Sequence, residues 1–178
     1  VGDCAEKYSF FNGAPTPLRL ASIATREGKI AAANLFQPQW RNVGTIGVFS
    51  TVLGNTAIAV AGLTEAKARE MGYEIIVGEA EAASKHPGTM PEAHPMRVRL
   101  AFCRRSGKIV GGCACCTHTV GEVANIIAAA IVNGMTMEQI AMFPMGTHPW
   151  LTASPLAYQI TDAASNALHK VKSTANLS

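Results

Sequence analysis

Side chains able to do chemistry are sparse in this chain and gather in two places. Cys113, Cys115, Cys116 and His118 fall within a few residues of one another, a set that suits a soft metal or a thiol centre. Strand alternation opposes that reading, because it sends Cys113 and Cys115 to one face and Cys116 to the other. No second Cys-x-x-Cys pair completes a tetrahedral zinc site, so the thiols are read as small packing groups and no metal is assigned. His148, followed by Pro149, lies in an irregular, proline-bounded stretch, where a histidine serves either as a functional side chain or as a plain surface residue. His86, His94, His118 and His169 read as structural or exposed, and Glu122 as an acid favouring a helix start. No Gly-x-Gly-x-x-Gly and no Gly-x-x-x-x-Gly-Lys-Ser/Thr occurs, so these residues do not bind a dinucleotide by the usual route.

The composition narrows the classes further. Of 178 residues, 48% are hydrophobic and only 15% charged, which excludes a disordered tail and permits a sizeable core. With aromatics at 6%, that core must be built mainly from Ala, Val, Ile and Leu. A net charge of +3 with scattered Lys and Arg does not suit nucleic acid. The longest apolar run, Ile126 to Val132, is far short of the roughly 20 residues a membrane helix needs. Five cysteines, an odd count, do not form the framework of a small secreted protein and point to the reducing cytoplasm.

The elements that must hold these residues follow from periodicity and caps. Thr16 offers an N-cap oxygen and Pro17 a pre-set φ, predicting a long helix from about Pro17 to Phe36. Gln37 to Val52 reads as a linker with short strands. Asn55 to Gly62 is a buried strand, Thr64 caps a short helix ending at Gly72, and Tyr73 to Glu79 is a second strand. Met96, Val98, Leu100 and Phe102 alternate with Arg97 and Arg99, and Arg105-Ser106-Gly107 turns that strand into a hairpin arm from Lys108 to Cys116. A helix starting at Thr119 or Gly121 ends at Asn133-Gly134, Thr136 caps another, and a last helix covers about Leu156 to Val171. Strands followed by helices predict an α+β fold: an antiparallel sheet with helices packed on one face, preceded by the long helix.

In order and spacing these segments resemble the carboxy-terminal part of the FAD-dependent pyridine nucleotide–disulfide oxidoreductases, most like the NADH oxidase and coenzyme A disulfide reductase group. Val1-Gly2-Asp3-Cys4-Ala5-Glu6 resembles the family's second FAD motif, and Thr16-Pro17-Leu18 the element facing the flavin pyrimidine end. The stretch from Val60-Ala61-Gly62-Leu63-Thr64-Glu65 onward, with Gly107 to Gly112 and Val120-Gly121-Glu122, resembles its dimerisation domain. The resemblance implies that Asp3 binds the ribityl chain, that Thr16, Pro17 and Leu18 line the flavin, and that His148 is catalytic, entering the partner's active site. It implies residues 1–40 as the end of an FAD-binding domain and 41–178 as a dimerisation domain. It further implies a homodimer, and FAD and NAD(P)H held by upstream domains of the same chain. In the disulfide reductase branch a Glu follows the His-Pro pair and orients the His; here Ala153 stands in its place. The family's redox cysteines lie upstream, so none of the five here inherits that role. The electron acceptor stays open between oxygen and a sulfur substrate, and the alternative to an enzyme fragment is a stand-alone dimerisation domain without cofactor.

Overall fold

The structure is a computed structural model that describes residues 1–117 and 120–175. Its chain divides into two compact units, Val1–Gly47 and Val48–Ser178.

The first unit opens with a single 3-10 turn, Gly2–Cys4, followed by a loop in which Tyr8 and Pro15 bridge, and then helix α1, Ala21–Ala33. The expected start of that helix at Thr16-Pro17 is wrong. Its N-cap is Leu20 in an extended conformation (φ −133°, ψ 140°), and its side chain caps nothing. The cause lies upstream: the Tyr8–Pro15 bridge and the 2.9 Å bond from Thr16 N–H to Lys7 O commit this segment to extended pairing. The long helix is therefore one of 13 residues, ending at Ala33 with Asn34 as its C-cap rather than at Phe36.

The second unit is the expected α+β architecture. Five strands form one antiparallel sheet in the order β1-β2-β5-β4-β3: β1 Val48–Leu53, β2 Thr56–Gly62, β3 Ile75–Ala83, β4 Pro95–Cys103 and β5 Ile109–Cys116. β1 lies at the end of the stretch read as a linker with short strands and runs one residue past it. As an edge strand, exposed over nearly all its length, it shows no burial alternation for the sequence to betray. Helix α2, Glu65–Glu70, is capped by the Thr64 side chain accepting Lys67 N–H at 3.2 Å. Helices α3 (Gly121–Val132), α4 (Met137–Ala141) and α5 (Gln159–Ala175) follow. The last begins three residues later than expected.

Register sorts the sheet into two faces. Ala59, Ala61, Val98, Leu100, Phe102 and Ala114 point inward and are buried under α3 and α5. The approach of α5 is close enough that a Cβ on Gly78 would lie 1.8 Å from the Ala163 carbonyl oxygen, so only glycine fits. Phe49, Val60, Cys113, Arg99 and Glu79 share the opposite face. Among the described residues no helix is long and apolar enough to cross a membrane.

Candidate functional site

In the first unit the candidate residues hang on Lys7. Its side chain is sealed from solvent, and its ammonium donates to Glu27 Oε2 at 2.8 Å, to Ala5 O at 3.2 Å and to Gly2 O. Glu27 Oε2 also accepts the Gly2 N–H at 3.1 Å. One ion pair therefore clamps both ends of the Gly2–Cys4 turn onto α1, and the Asp3 side chain on that turn is exposed. The hydrogen bond from Lys7 is the main cause holding the Glu27 carboxyl below its ordinary range, against the opposing effect of burial. On its backbone, Lys7 O takes the Thr16 N–H. The two candidate segments, around Asp3 and around Thr16-Pro17-Leu18, are thus joined through one residue. Neither Lys7 nor Glu27 was marked by the sequence, since residues 20 apart with no shared periodicity carry no pairing signal.

His148 lies in the second unit, in the segment between α4 and α5, in a tight turn. Leu151 and Thr152 N–H both donate to His148 O at 3.0 Å, His148 N–H donates to Thr152 Oγ1 at 3.1 Å, and Trp150 N–H donates to His148 Nδ1 at 3.3 Å. Ala153 is buried, with no carboxylate in its place. The β3–β4 loop docks on this segment: His86 N–H donates to Pro149 O at 3.3 Å, His86 Nδ1 lies 3.1 Å from Thr152 O, and the Lys85 ammonium sits 5.8 Å from the centre of a Trp150 ring. Gln159 at the start of α5 completes the joint with bonds to Ala82 O and Ala83 O. The sequence reading passed over His86, because only a contact across 66 residues distinguishes it.

On the outer sheet face a cavity of about 370 Å³ is lined by Phe49, Val60, Leu63, Glu65, Arg99 and Cys113. Arg99 is held there by Glu79 at 2.9 Å and Glu65 at 2.5 Å. Burial pushes the Cys113 thiol up, with Arg99 opposing, which favours its neutral form. Cys116 faces the core, as alternation requires. Among the described residues no three His, Cys, Asp or Glu side chains are placed to hold a metal. His118, and the alternative helix start at Thr119, lie outside the described residues.

The comparisons with known proteins fall on both units. The family described as pyridine nucleotide-disulphide oxidoreductase, dimerisation domain, matches residues 48–156. A NADH oxidase of Methanocaldococcus jannaschii is 25% identical over 171 residues, which is 96% of this chain and 37% of that protein. A dihydrolipoyl dehydrogenase of Haloferax volcanii is 30% identical over 99% of this chain and 34% of its own length. The water-forming NADH oxidase from Lactobacillus brevis, solved bound to NADH, superposes with a TM-score of 0.87 at 27% identity, covering 98% of this chain and 38% of that one. The chain thus spans under two-fifths of the length of the relatives it matches.

Proposed function

The chain belongs to the pyridine nucleotide-disulphide oxidoreductase dimerisation-domain family, and from that premise we propose that it is the carboxy-terminal portion of an FAD-dependent NAD(P)H oxidoreductase of the NADH oxidase type. The observation carrying this reading is how far the likeness reaches. It covers 98% of the chain, including the first unit, which lies ahead of the stretch the family matches.

The residues present fit part of a flavin site. Asp3 is an exposed carboxylate on a turn fixed at both ends, suited to accept hydrogen bonds from ribityl hydroxyls, and bonds to a charged acceptor are roughly twice as strong as neutral ones. Thr16 N–H is already engaged by Lys7 O, so the Leu18 N–H is the donor assigned to the flavin's pyrimidine edge, with Thr16 and Pro17 shaping the wall. Bound FAD would supply the hydride chemistry, taking reducing equivalents from NAD(P)H; this chain's share is to hold and orient. The second unit would bring two copies together. Phe49, Val52 and Leu53 on the β1 edge are 53%, 61% and 65% exposed, and an apolar edge strand of this kind is suited to pairing across a two-fold axis. His148 is the side chain assigned to reach the partner's site. All five cysteines are free thiols, in keeping with a cytoplasmic location.

Flavin content tests the first half. In protein carrying the upstream portion that its relatives possess, Asp3→Ala is expected to weaken FAD binding roughly tenfold or more; unchanged flavin content would remove Asp3 from the site. Sedimentation tests the second half, with a dimer expected at micromolar concentration. A stable dimer with no flavin uptake in the longer protein would leave only a self-associating domain.

A further inference from the structure

Lys7 stands in a fixed frame and spends its whole hydrogen-bonding capacity inside the protein. The main chain around it is gripped from two sides. On one, Lys7 O accepts the Thr16 N–H at 2.9 Å and Ser9 N–H donates to Ala14 O at 2.8 Å. On the other, Tyr8 O accepts the Thr45 N–H at 2.8 Å and Phe10 N–H donates to Thr45 O at 3.1 Å. An ammonium has three hydrogens to give, and three acceptors take them here: Glu27 Oε2, Gly2 O and Ala5 O. Glu27 Oε2 in turn accepts the Gly2 N–H at 3.1 Å. The pair thus holds Gly2 by its N–H and its carbonyl and Ala5 by its carbonyl, and these two residues bracket the exposed Asp3.

A buried ion pair adds little bulk stability, because desolvation offsets the attraction. Two apolar side chains could fill the same space, but they could not grip two carbonyls and an N–H. With no hydrogen left over, Lys7 has none to offer a ligand, so its influence passes through the main chain on either side of Asp3. We propose that Lys7 and Glu27 are positioning residues of the flavin site, holding the Gly2–Ala5 main chain so that the Asp3 carboxylate meets the ribityl chain from one direction. Through its carbonyl, Lys7 also ties that turn to the wall that begins at Thr16. The inference rests on the flavin reading above and adds to it two residues that touch no part of the flavin. A turn released from the pair has to be ordered again at each binding event, and that entropy is lost from the affinity.

The test uses protein carrying the upstream portion, titrated with FAD and followed by flavin fluorescence below the unfolding temperature. Lys7→Met is expected to weaken FAD binding roughly tenfold, and so is Glu27→Gln, which keeps the size of the side chain and removes its charge. In an Asp3→Ala background either substitution should cost less than about twofold more, because both act through that carboxylate. At saturating FAD, the visible circular dichroism of Glu27→Gln should match that of Asp3→Ala. Losses that add to the Asp3→Ala loss, or a Glu27→Gln spectrum like that of the unsubstituted protein, would overturn the positioning role and leave only a structural one. Asp3→Ala weakening FAD while Glu27→Gln binds normally would sink this inference alone; unchanged binding in Asp3→Ala would sink it together with the flavin reading of the turn. If Lys7→Met does not fold, Glu27→Gln carries the same comparisons.

Discussion

In the first unit, the side chains most removed from solvent include a lysine and a glutamate, with Ile23 and Ile46 as the buried large apolar residues. In the second, burial is almost wholly apolar, from Val98, Leu100 and Phe102 in the sheet to Ile127 and Ile131 on α3. The first unit is held by an ion pair with main-chain bonds around it, the second by a layered hydrophobic core. A buried pair recovers its desolvation cost only when its geometry and remaining bonds are complete, which makes it a directional fastener rather than a source of bulk stability. The first unit also leaves Leu35, Phe36 and Trp40 at 71%, 96% and 56% exposure. A unit with little core and that much bare apolar surface offers its exposed side chains to further contacts.

That contrast can be broken from either side. The largest effect is expected at Gly78→Ala, where the new Cβ meets the backbone of α5 rather than a yielding side chain. Overpacking normally costs about 1–3 kcal/mol, and a backbone clash places this change at or above the top of that range. Loss of the cooperative thermal transition would register it. Leu100→Ala, at a fully buried site, should cost about 2–5 kcal/mol in the second unit, visible as a lower denaturant midpoint at unchanged slope. Lys7→Met strands Glu27 without its cation and is expected to cost roughly 3 kcal/mol, the low end for a broken buried pair because this unit is thin. Hydrogen exchange should speed up in Val1–Gly47 and hold steady from Val48 onward. Equal loss in both units would erase the distinction.

Acid sharpens the comparison. The folded pKa of Glu27 is depressed, so its stabilisation is full above the ordinary carboxylate range and disappears as pH falls through that lowered value. Asp162 on α5 is shifted the other way by burial, so its effect favours the folded state at low pH and is lost as pH rises through its elevated value. The first unit should therefore loosen in acid before the second, as read by exchange at several pH values. The smallest effect is expected from Thr136→Ala, which removes one half of the capping box with Gln139 and should cost about 1 kcal/mol.

Legibility in the sequence follows the same divide. The β4–β5 hairpin could be read because Met96, Val98, Leu100 and Phe102 alternate on a half-buried face. The end of α3 at Asn133-Gly134 and the caps at Thr64 and Thr136 were equally readable, since each is set by residues within one turn. Strand β1 was legible only as a short strand somewhere in a linker, because an exposed edge has no inward face to pattern. The start of α1 was misplaced because the cap-like Thr16 was already bonded to Lys7, next to the Tyr8–Pro15 bridge. At the candidate sites the residue types were visible while their partners were not. Nothing local in the chain announces that Lys7 reaches Glu27 or that His86 reaches the Thr152 carbonyl.

Lysines are normally the residues that amine-reactive labels find first. Lys7 has its nitrogen wholly enclosed, so in the native chain acylating reagents should pass it by while marking its exposed counterparts such as Lys67. Labelling at that single position, read by mass spectrometry, would become a built-in gauge of when the amino-terminal portion comes undone.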